Sequence, residues 1–323
     1  MKYLLVGDPH VTVEELDDCQ ALLNHVLEVA LKERPQYIVF LGDQHHTHAV
    51  ARVEVLDFWD RNLKMLDDNR QAVIFLTGNH DRSHNVNLKA NTLVYDPALV
   101  SVVDDMQCLD GVAFVAWCPT NDEFLGKVGG FEGTVICHQT FDGSRYENGF
   151  YAPGGIDANA MKAKNIISGH IHTPQEFGKV WYPGAPRWRT ASDANTPRKI
   201  WMVEVDGDGN IIDKTSYRME GNCRAMYHFD DFEGGMEPTI GIIQQPAVVS
   251  VNIHGSAEYI LARKLAYEAA GHRVATFLKQ AATAAVKESD GISAALAKHV
   301  DAYKPKLPVP LDDLKKKAMK ISV

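Results

Sequence analysis

Five short segments of this sequence are rich in side chains that bind divalent metal ions. They supply carboxylate oxygen, amide oxygen and imidazole nitrogen, the donor atoms that hard and borderline cations take from proteins. Seven candidate ligands are more than one ion needs, and they suit two ions that share a carboxylate. The candidates are Asp8, His10, Asp43, Asn79, His138, His170 and His172.

A centre with two divalent ions suits phosphoryl transfer, because the pair can activate the attacking water and neutralise the departing oxygen. Oxygen ligands mixed with imidazole favour manganese, iron or zinc over calcium. We therefore expect two Mn²⁺ ions, with Fe²⁺, Zn²⁺ and Mg²⁺ as alternatives. The five cysteines form no CxxC pair, which disfavours structural zinc, and their odd number argues against a disulfide framework.

Each segment alone is weak evidence, because a single histidine is more often a core or surface residue than a metal ligand. Their setting makes them stronger evidence together. Residues 3–6, 37–41 and 73–76 are apolar runs typical of buried strands, and each ends just before a polar segment. Amphipathic stretches at 14–33 and 52–66 predict helices between them. Parallel strands bring their carboxyl ends together, so we expect these segments to converge.

Beyond about residue 93 the pattern changes to short strands separated by turns, which predicts a second sheet packed on the first. His138, and then His170 with His172, follow two of these strands directly. The predicted strands are residues 99–103, 112–117, 133–137, 165–168, 179–182, 199–205 and 211–217.

A change in pattern near residues 232–245, where glycine and proline are typical of a linker, divides the chain. After it, residues 247–254 alternate as a strand, and an Ala-rich region up to Tyr303 predicts helix. Val274, Phe277, Leu278 and Ala281 lie at helical spacing there. The predicted domains are a catalytic domain at 1–235, a small α+β capping domain at 246–303, and a basic tail or partner-binding helix at 304–323.

The net charge of −9 is unevenly distributed. Residues 236–323 contain 12 Lys/Arg and 8 Asp/Glu, a net charge of +4, which leaves 21 basic and 34 acidic residues, or −13, in residues 1–235. Two divalent cations would add positive charge to this acidic part. The apolar run at 3–6 is too short for a signal peptide or a membrane span, so we expect a cytoplasmic protein.

The motif order D-x-H, G-D-x-x-H, G-N-H-D, H and G-H-x-H resembles that of the calcineurin-like metallophosphoesterases. The resemblance implies an α/β fold, a four-layer α/β/β/α sandwich. It also implies two metal positions that share Asp43 as a bridge. Asp8, His10, Asp43 and His172 would hold one ion, and Asp43, Asn79, His138 and His170 the other.

The same resemblance implies roles for three further residues. His80 would lie beside the scissile phosphate, where it stabilises charge or protonates the leaving oxygen, and Asp81 would orient the His80 ring. His46, three residues after Asp43, matches a histidine that some related nucleases place near the substrate.

Two segments are similar to the SbcD-type nuclease subunits of DNA double-strand-break repair complexes. Residues 169–175 read GHIHTPQ and residues 182–186 read YPGAP. This similarity implies a DNA substrate, a small C-terminal α+β cap, an SbcC-type coiled-coil ATPase partner and a homodimer. Pro9 and Gln44-His45 differ from the residues that are usual at these positions of the motifs. The metal ligands are intact, but residues that would contact DNA are changed.

The sequence therefore predicts a two-metal phosphodiesterase, a DNA exonuclease or endonuclease subunit of a repair or recombination complex. A phosphodiesterase or phosphatase for nucleotides or phosphoproteins is an alternative that the acidic first domain favours. A non-catalytic assembly subunit is a third, which the complete ligand set disfavours. Substrate contacts are predicted at Arg187, Trp188 and Arg189, with Trp188 stacking on a base, against the alternative of a surface loop with a partly buried tryptophan.

Overall fold

The computed structural model describes residues 1–48, 50–83, 90–238, 240 and 243–278. The first of three sheets in this part of the chain has six strands in the order β12-β11-β1-β2-β3-β4. Strands β1 to β4 run parallel, and β11 pairs antiparallel with β1 and β12. The strands are β1 (Lys2–Val6), β2 (Tyr37–Phe40), β3 (Val73–Leu76), β4 (Ser101–Val103), β11 (Lys199–Val205) and β12 (Ile211–Arg218).

The second sheet also has six strands, in the order β5-β6-β7-β8-β10-β9. Its four central strands are parallel, and an antiparallel strand lies at each edge. The strands are β5 (Met106–Leu109), β6 (Val112–Val115), β7 (Thr134–Cys137), β8 (Asn165–Ser168), β9 (Gln175–Phe177) and β10 (Val180–Tyr182).

The two large sheets pack on each other. Successive side chains of a strand point to opposite faces of its sheet, so one face meets the other sheet while the second face meets the helices. In β1, Tyr3 and Leu5 contact a core that also contains Phe114 and Ile136 of the second sheet. Leu4 and Val6 point the other way, into the core beneath the helices. Burial of each such leucine or valine contributes about 1.5–3 kcal/mol, so the alternation fixes which face meets which layer.

Helices cover the outer faces of both sheets. In α1 (Leu16–Glu33), Leu22, Val26 and Ala30 recur at helical spacing and are buried against the first sheet. The second helix, α2 (Val53–Asp68), packs beside it through the same core. On the opposite side α3 (Asn121–Val128) buries side chains against the second sheet. The predicted four-layer α/β/β/α sandwich is confirmed.

A third sheet follows, with three parallel strands in the order β13-β14-β15. The strands are β13 (Ala225–Phe232), β14 (Ala247–Gly255) and β15 (Arg273–Leu278), and α4 (Ala257–Ala269) connects the last two. The predicted strand at 247–254 is confirmed. The predicted helix at Val274, Phe277 and Leu278 was wrong, because these residues pair with β14 as a strand. The β-branched Val274 and the aromatic Phe277 suit a strand.

The predicted linker lies between β13 and β14. Strand β13 therefore precedes the predicted boundary but pairs along its whole length with β14, which follows it. The division into domains stays a prediction. The predicted helical region beyond residue 278 and the tail at 304–323 lie outside the described residues. No helix in the described part is long and apolar enough to cross a membrane.

Candidate metal centre

All five polar segments begin directly after strands of the two large sheets. Asp8, Asp43 and Asn79 follow β1, β2 and β3 of the first sheet, whereas His138 and His170 follow β7 and β8 of the second. These are the carboxyl ends of parallel strands, where α/β proteins place their ligands. Both sheets therefore contribute side chains to one site.

Three of the candidate ligands have an unusual backbone conformation. His10, Asp43 and His170 have φ angles of 45°, 53° and 78°, in the left-handed region that non-glycine residues rarely occupy. Such conformations cost on the order of 1–3 kcal/mol each and collect at functional sites. Here they are held by hydrogen bonds, since His10 N donates to the Asp43 carbonyl at 2.9 Å and His170 N to Asp8 Oδ2 at 2.8 Å.

Two glycines of the motifs are needed because no side chain fits beside the ligands. A Cβ atom at Gly42 would lie 2.2 Å from His138 Nδ1, and one at Gly78 would lie 2.1 Å from Asp43 Oδ1. Gly42 also has a φ of 114°, which disfavours any other residue. The close approach of these loops packs ligands from different strands together.

Within the described residues, one cluster suited to a metal ion contains Asp8, His10 and His172. Their candidate donor atoms all lie within 4.8 Å of one another. The Nε2 atoms of His10 and His172 are 3.0 Å apart, and His172 Nε2 is 3.6 Å from Asp8 Oδ2.

A second cluster contains Asp43, His138 and His170, again with donor atoms within 4.8 Å. The Oδ1 atom of Asn79 lies 2.8 Å from His170 Nδ1 and 3.0 Å from His138 Nε2. His138 Nδ1 donates to the Leu41 carbonyl at 2.8 Å, which leaves Nε2 as the ring nitrogen that faces Asn79 and the second cluster.

The charges of the clusters fit divalent cations. Burial brings the pKa of His10 well below its usual value and those of His170 and His172 to about 3 and about 4, so these rings are neutral with lone pairs available. Burial also raises the pKa of Asp8. His138 is the exception, because the charges of Asp43 and Asp8 overcome burial and raise its pKa to about 9. A bound metal ion would replace the proton of His138 as the source of positive charge.

The three predicted catalytic residues lie next to these clusters. His80 N donates to Asp43 Oδ1 at 2.8 Å, and the His80 ring centroid is 4.7 Å from that of His10. The His46 ring is 5.3 Å from the His10 ring and 5.6 Å from the His80 ring, centroid to centroid. His10, His46 and His80 together form a further group that could hold a cation.

The predicted contact between Asp81 and the His80 ring was wrong. His80 Nδ1 donates instead to the carbonyl oxygen of His46. The buried Asp81 carboxylate accepts backbone N–H groups of Gly78 and His45, each at 3.0 Å, and of Gln44 at 3.3 Å. Asp81 therefore ties the second motif loop to the third.

The predicted substrate contacts of Arg187 and Trp188 were also wrong. Trp188 is 3% exposed, belongs to the core, and donates Nε1–H to the Thr196 carbonyl. Arg187 is 1% exposed and donates to Asp18 Oδ2 and to the Pro9 carbonyl, both at 2.9 Å. Neither side chain can meet a substrate, and Arg187 supports the loop that carries His10.

Arg189 does lie near the site. Burial and, to a lesser extent, the positive charge of Arg189 lower the pKa of His46 to about 4. The Arg189 Nε atom is 3.5 Å from Glu15 Oε2. Its role as a substrate contact stays a prediction.

Sequence reasoning missed Glu147. Its Oε1 atom lies 3.6 Å from His172 Nδ1, on the ring edge opposite the atom that faces Asp8. A carboxylate at this position is typical of the partners that orient metal-binding histidines. Glu147 lies in a loop and matches no motif, so no signal in the sequence marks it.

Several known proteins are similar to this chain. The sequence model of a protein family described as calcineurin-like phosphoesterase matches residues 1–174. Exonuclease subunit 1 of Enterobacteria phage T4 is 26% identical over 230 residues, which cover 64% of this chain and 65% of that protein. The phosphoesterase Yfce from E. coli matches as a structure over 67% of this chain and 98% of that chain, with 15% identity and a TM-score of 0.32.

Proposed function

The chain belongs to the calcineurin-like phosphoesterase family and is a metal-dependent phosphoesterase, and from this premise we propose that it hydrolyses the phosphodiester bonds of DNA. It acts as the exonuclease or endonuclease subunit of a double-strand-break repair or recombination complex. The relative from phage T4 is named an exonuclease subunit, which supports both the substrate class and the association with other chains.

The observation that most strongly supports this function is the pair of buried clusters that Asp43 joins. Asp43 Oδ2 is 3.5 Å from His10 Nε2 in one cluster, and Asp43 Oδ1 is 3.4 Å from His138 Nε2 in the other. We assign Asp8, His10, Asp43 and His172 to one ion and Asp43, Asn79, His138 and His170 to the other. Two Mn²⁺ ions bound there would supply an activated water and neutralise charge on the departing oxygen.

The protein itself supplies the proton transfer in this proposal. His80 Nδ1 donates to the His46 carbonyl, so the ring is fixed and Nε2 is left to exchange a proton with the leaving oxygen of the sugar. His46 and Arg189 lie beside the same clusters and would contact the phosphates on either side. Asp81 acts indirectly, since it holds the loops of Asp43 and Asn79 together.

The proposal includes partners. An SbcC-type coiled-coil ATPase and a second copy of this chain would complete the assembly, with residues 246–303 as a cap over the DNA and residues 304–323 as a helix or tail that contacts the ATPase.

The test is cleavage by the purified chain, alone and with its ATPase, of linear duplex DNA, single-stranded DNA and bis(p-nitrophenyl) phosphate. We expect Mn²⁺-dependent cleavage of DNA that EDTA abolishes. Hydrolysis of the small diester with all DNA intact in both arrangements would overturn the nuclease assignment. It would favour the alternative, a nucleotide or phosphoprotein hydrolase, in keeping with the acidic first 235 residues.

A further inference from the structure

A loop beside the metal centre carries aromatic side chains that are largely exposed to solvent. Residues 142–155, which we call the rim loop, follow β7 and its ligand His138. Phe150 is 72% exposed, Tyr151 61% and Tyr146 37%. Exposed aromatic residues that lie together on a surface indicate a binding site rather than a packing role.

Hydrogen bonds hold the backbone of this loop in a turn that includes a neighbour of a candidate metal ligand. Tyr146 N donates to the Phe150 carbonyl and Gly149 N to the Tyr146 carbonyl, each at 2.9 Å, which closes a tight turn. Glu147 lies inside this turn, and its carboxylate is 3.6 Å from His172 Nδ1. Phe150 and Tyr146 are thus within a few residues of a group that reaches the metal centre.

The rim loop is also anchored at its base. Arg145 N donates to Gln175 Oε1 at 2.8 Å, and Gln175 Nε2 donates to the Arg145 carbonyl at 2.7 Å. Gln175 follows His172 by three residues, so the loop and the ligand are attached to the same segment. The Arg145 guanidinium lies over the Tyr151 ring, 4.4 Å from its centroid, and adds positive charge to the aromatic surface.

We propose that the rim loop binds unpaired nucleobases next to the scissile phosphate, which stack on Phe150 and Tyr151 beside the charge of Arg145. This inference rests on the proposed nuclease function and specifies its substrate as DNA with a single-stranded end. Every base offers an aromatic face, so stacking tolerates any sequence. A duplex keeps its bases stacked inside and cannot use these rings.

The experiment compares wild type with the double variant Phe150→Ala/Tyr151→Ala and with Ile212→Ala, which removes another exposed apolar side chain, on β12. The substrates, with Mn²⁺, are a single-stranded oligonucleotide, the same oligonucleotide with abasic sites, and bis(p-nitrophenyl) phosphate. Stacking supplies about 1–3 kcal/mol per base, so kcat/KM of the double variant on the oligonucleotide should fall about 5- to 150-fold for each base that loses its ring, mainly through KM. Ile212→Ala should match wild type.

Hydrolysis of the small diester should be unchanged in the double variant, because both rings of that substrate are attached directly to the scissile phosphate and it has no sugar that extends a base to the rim loop. Wild type should lose the same factor on abasic DNA, while the double variant should lose nothing further there. Phe150→Trp with Tyr151→Trp should restore cleavage, which separates stacking from any effect on folding.

Different results would overturn base stacking on the rim loop and the nuclease function on which it rests. Equal cleavage of the oligonucleotide by wild type and double variant would refute base stacking and leave the nuclease function intact. Loss of small-diester hydrolysis in the double variant would also refute it, because the loop would then act through His172. If wild type hydrolyses the diester but leaves the oligonucleotide intact, the stacking site fails, and the nuclease function fails with it when duplex DNA also stays intact with and without the ATPase.

Discussion

The Asp43 carboxylate lies 3.5 Å from Nε2 of His10, on the neighbouring strand end, and so contacts both candidate metal clusters. Asp43→Asn keeps the shape of the side chain but removes the shared charge. We expect bound metal, measured by mass spectrometry of the purified protein, to fall from two ions to one or fewer. Since a bound ion contributes several kcal/mol to transition-state stabilisation, kcat/KM should fall at least about 100-fold. Asp57→Asn, on the exposed face of α2, is the matched control and should retain both ions.

His80→Ala should separate metal binding from proton transfer. The His80 ring is held by the His46 carbonyl, and only its backbone N–H contacts Asp43. Metal content should therefore stay at the wild-type level, while kcat should fall by about 10²- to 10⁴-fold, the usual contribution of a general acid or base. Steady-state cleavage of a single-stranded oligonucleotide measures this, because its sugar leaving oxygen needs a proton whereas p-nitrophenolate does not. Unchanged turnover would remove His80 from the reaction.

Gly78→Ala should disrupt the site through a steric clash. The new Cβ atom would lie 2.1 Å from Asp43 Oδ1, so the carboxylate must move. We expect weaker Mn²⁺ binding by calorimetry and a lower midpoint of thermal unfolding. Gly126→Ala is the control, since Gly126 lies within α3 and has no atom within 4 Å of the added carbon. That variant should gain about 0.5–1 kcal/mol in stability, because glycine weakens a helix.

The stability of the third sheet should depend on pH through Asp231. This buried carboxylate accepts hydrogen bonds from Tyr259, Arg263 and Tyr267, which outweigh the effect of burial and lower its pKa. A lowered pKa stabilises the fold above the unfolded value of about 3.9, and the stabilisation is lost as the pH falls through the folded value. Asp231→Asn should cost about 2 kcal/mol in urea unfolding at pH 7, and the difference from wild type should shrink below pH 4. An equal difference at both pH values would contradict this role.

The convergence of the candidate metal ligands could be predicted from sequence because each lies within a few residues of a strand end. Asp8 and Asp43 follow apolar runs whose type is visible locally, and parallel strands bring their ends together regardless of other detail. The layers of the sandwich were predictable for the same reason. Helical spacing in α1 and alternation in β1 both depend on neighbours in the chain.

The errors concern contacts between residues far apart in sequence. Val274 and Phe277 have helical spacing, but pairing with β14, about twenty residues earlier, makes them a strand. Glu147 reaches His172 from a loop without a motif. Trp188 looked accessible because polar residues surround it in sequence, yet the Thr196 carbonyl and the core enclose it. Such partners become visible only once the chain has folded.

The origin of the ligands in both large sheets has a mechanical consequence. Asp8, Asp43 and Asn79 follow strands of one sheet and His138, His170 and His172 follow strands of the other, so each ion bound by these candidate ligands would link the two sheets. Binding to the native state at a free concentration 100-fold above Kd stabilises it by about 2.7 kcal/mol. Substitutions between the sheets, at Phe114 or Ile136 for example, should shift one half of the site relative to the other and so change metal affinity, although neither residue would contact an ion. The affinity of the centre for metal ions would thus depend partly on the packing between the two sheets.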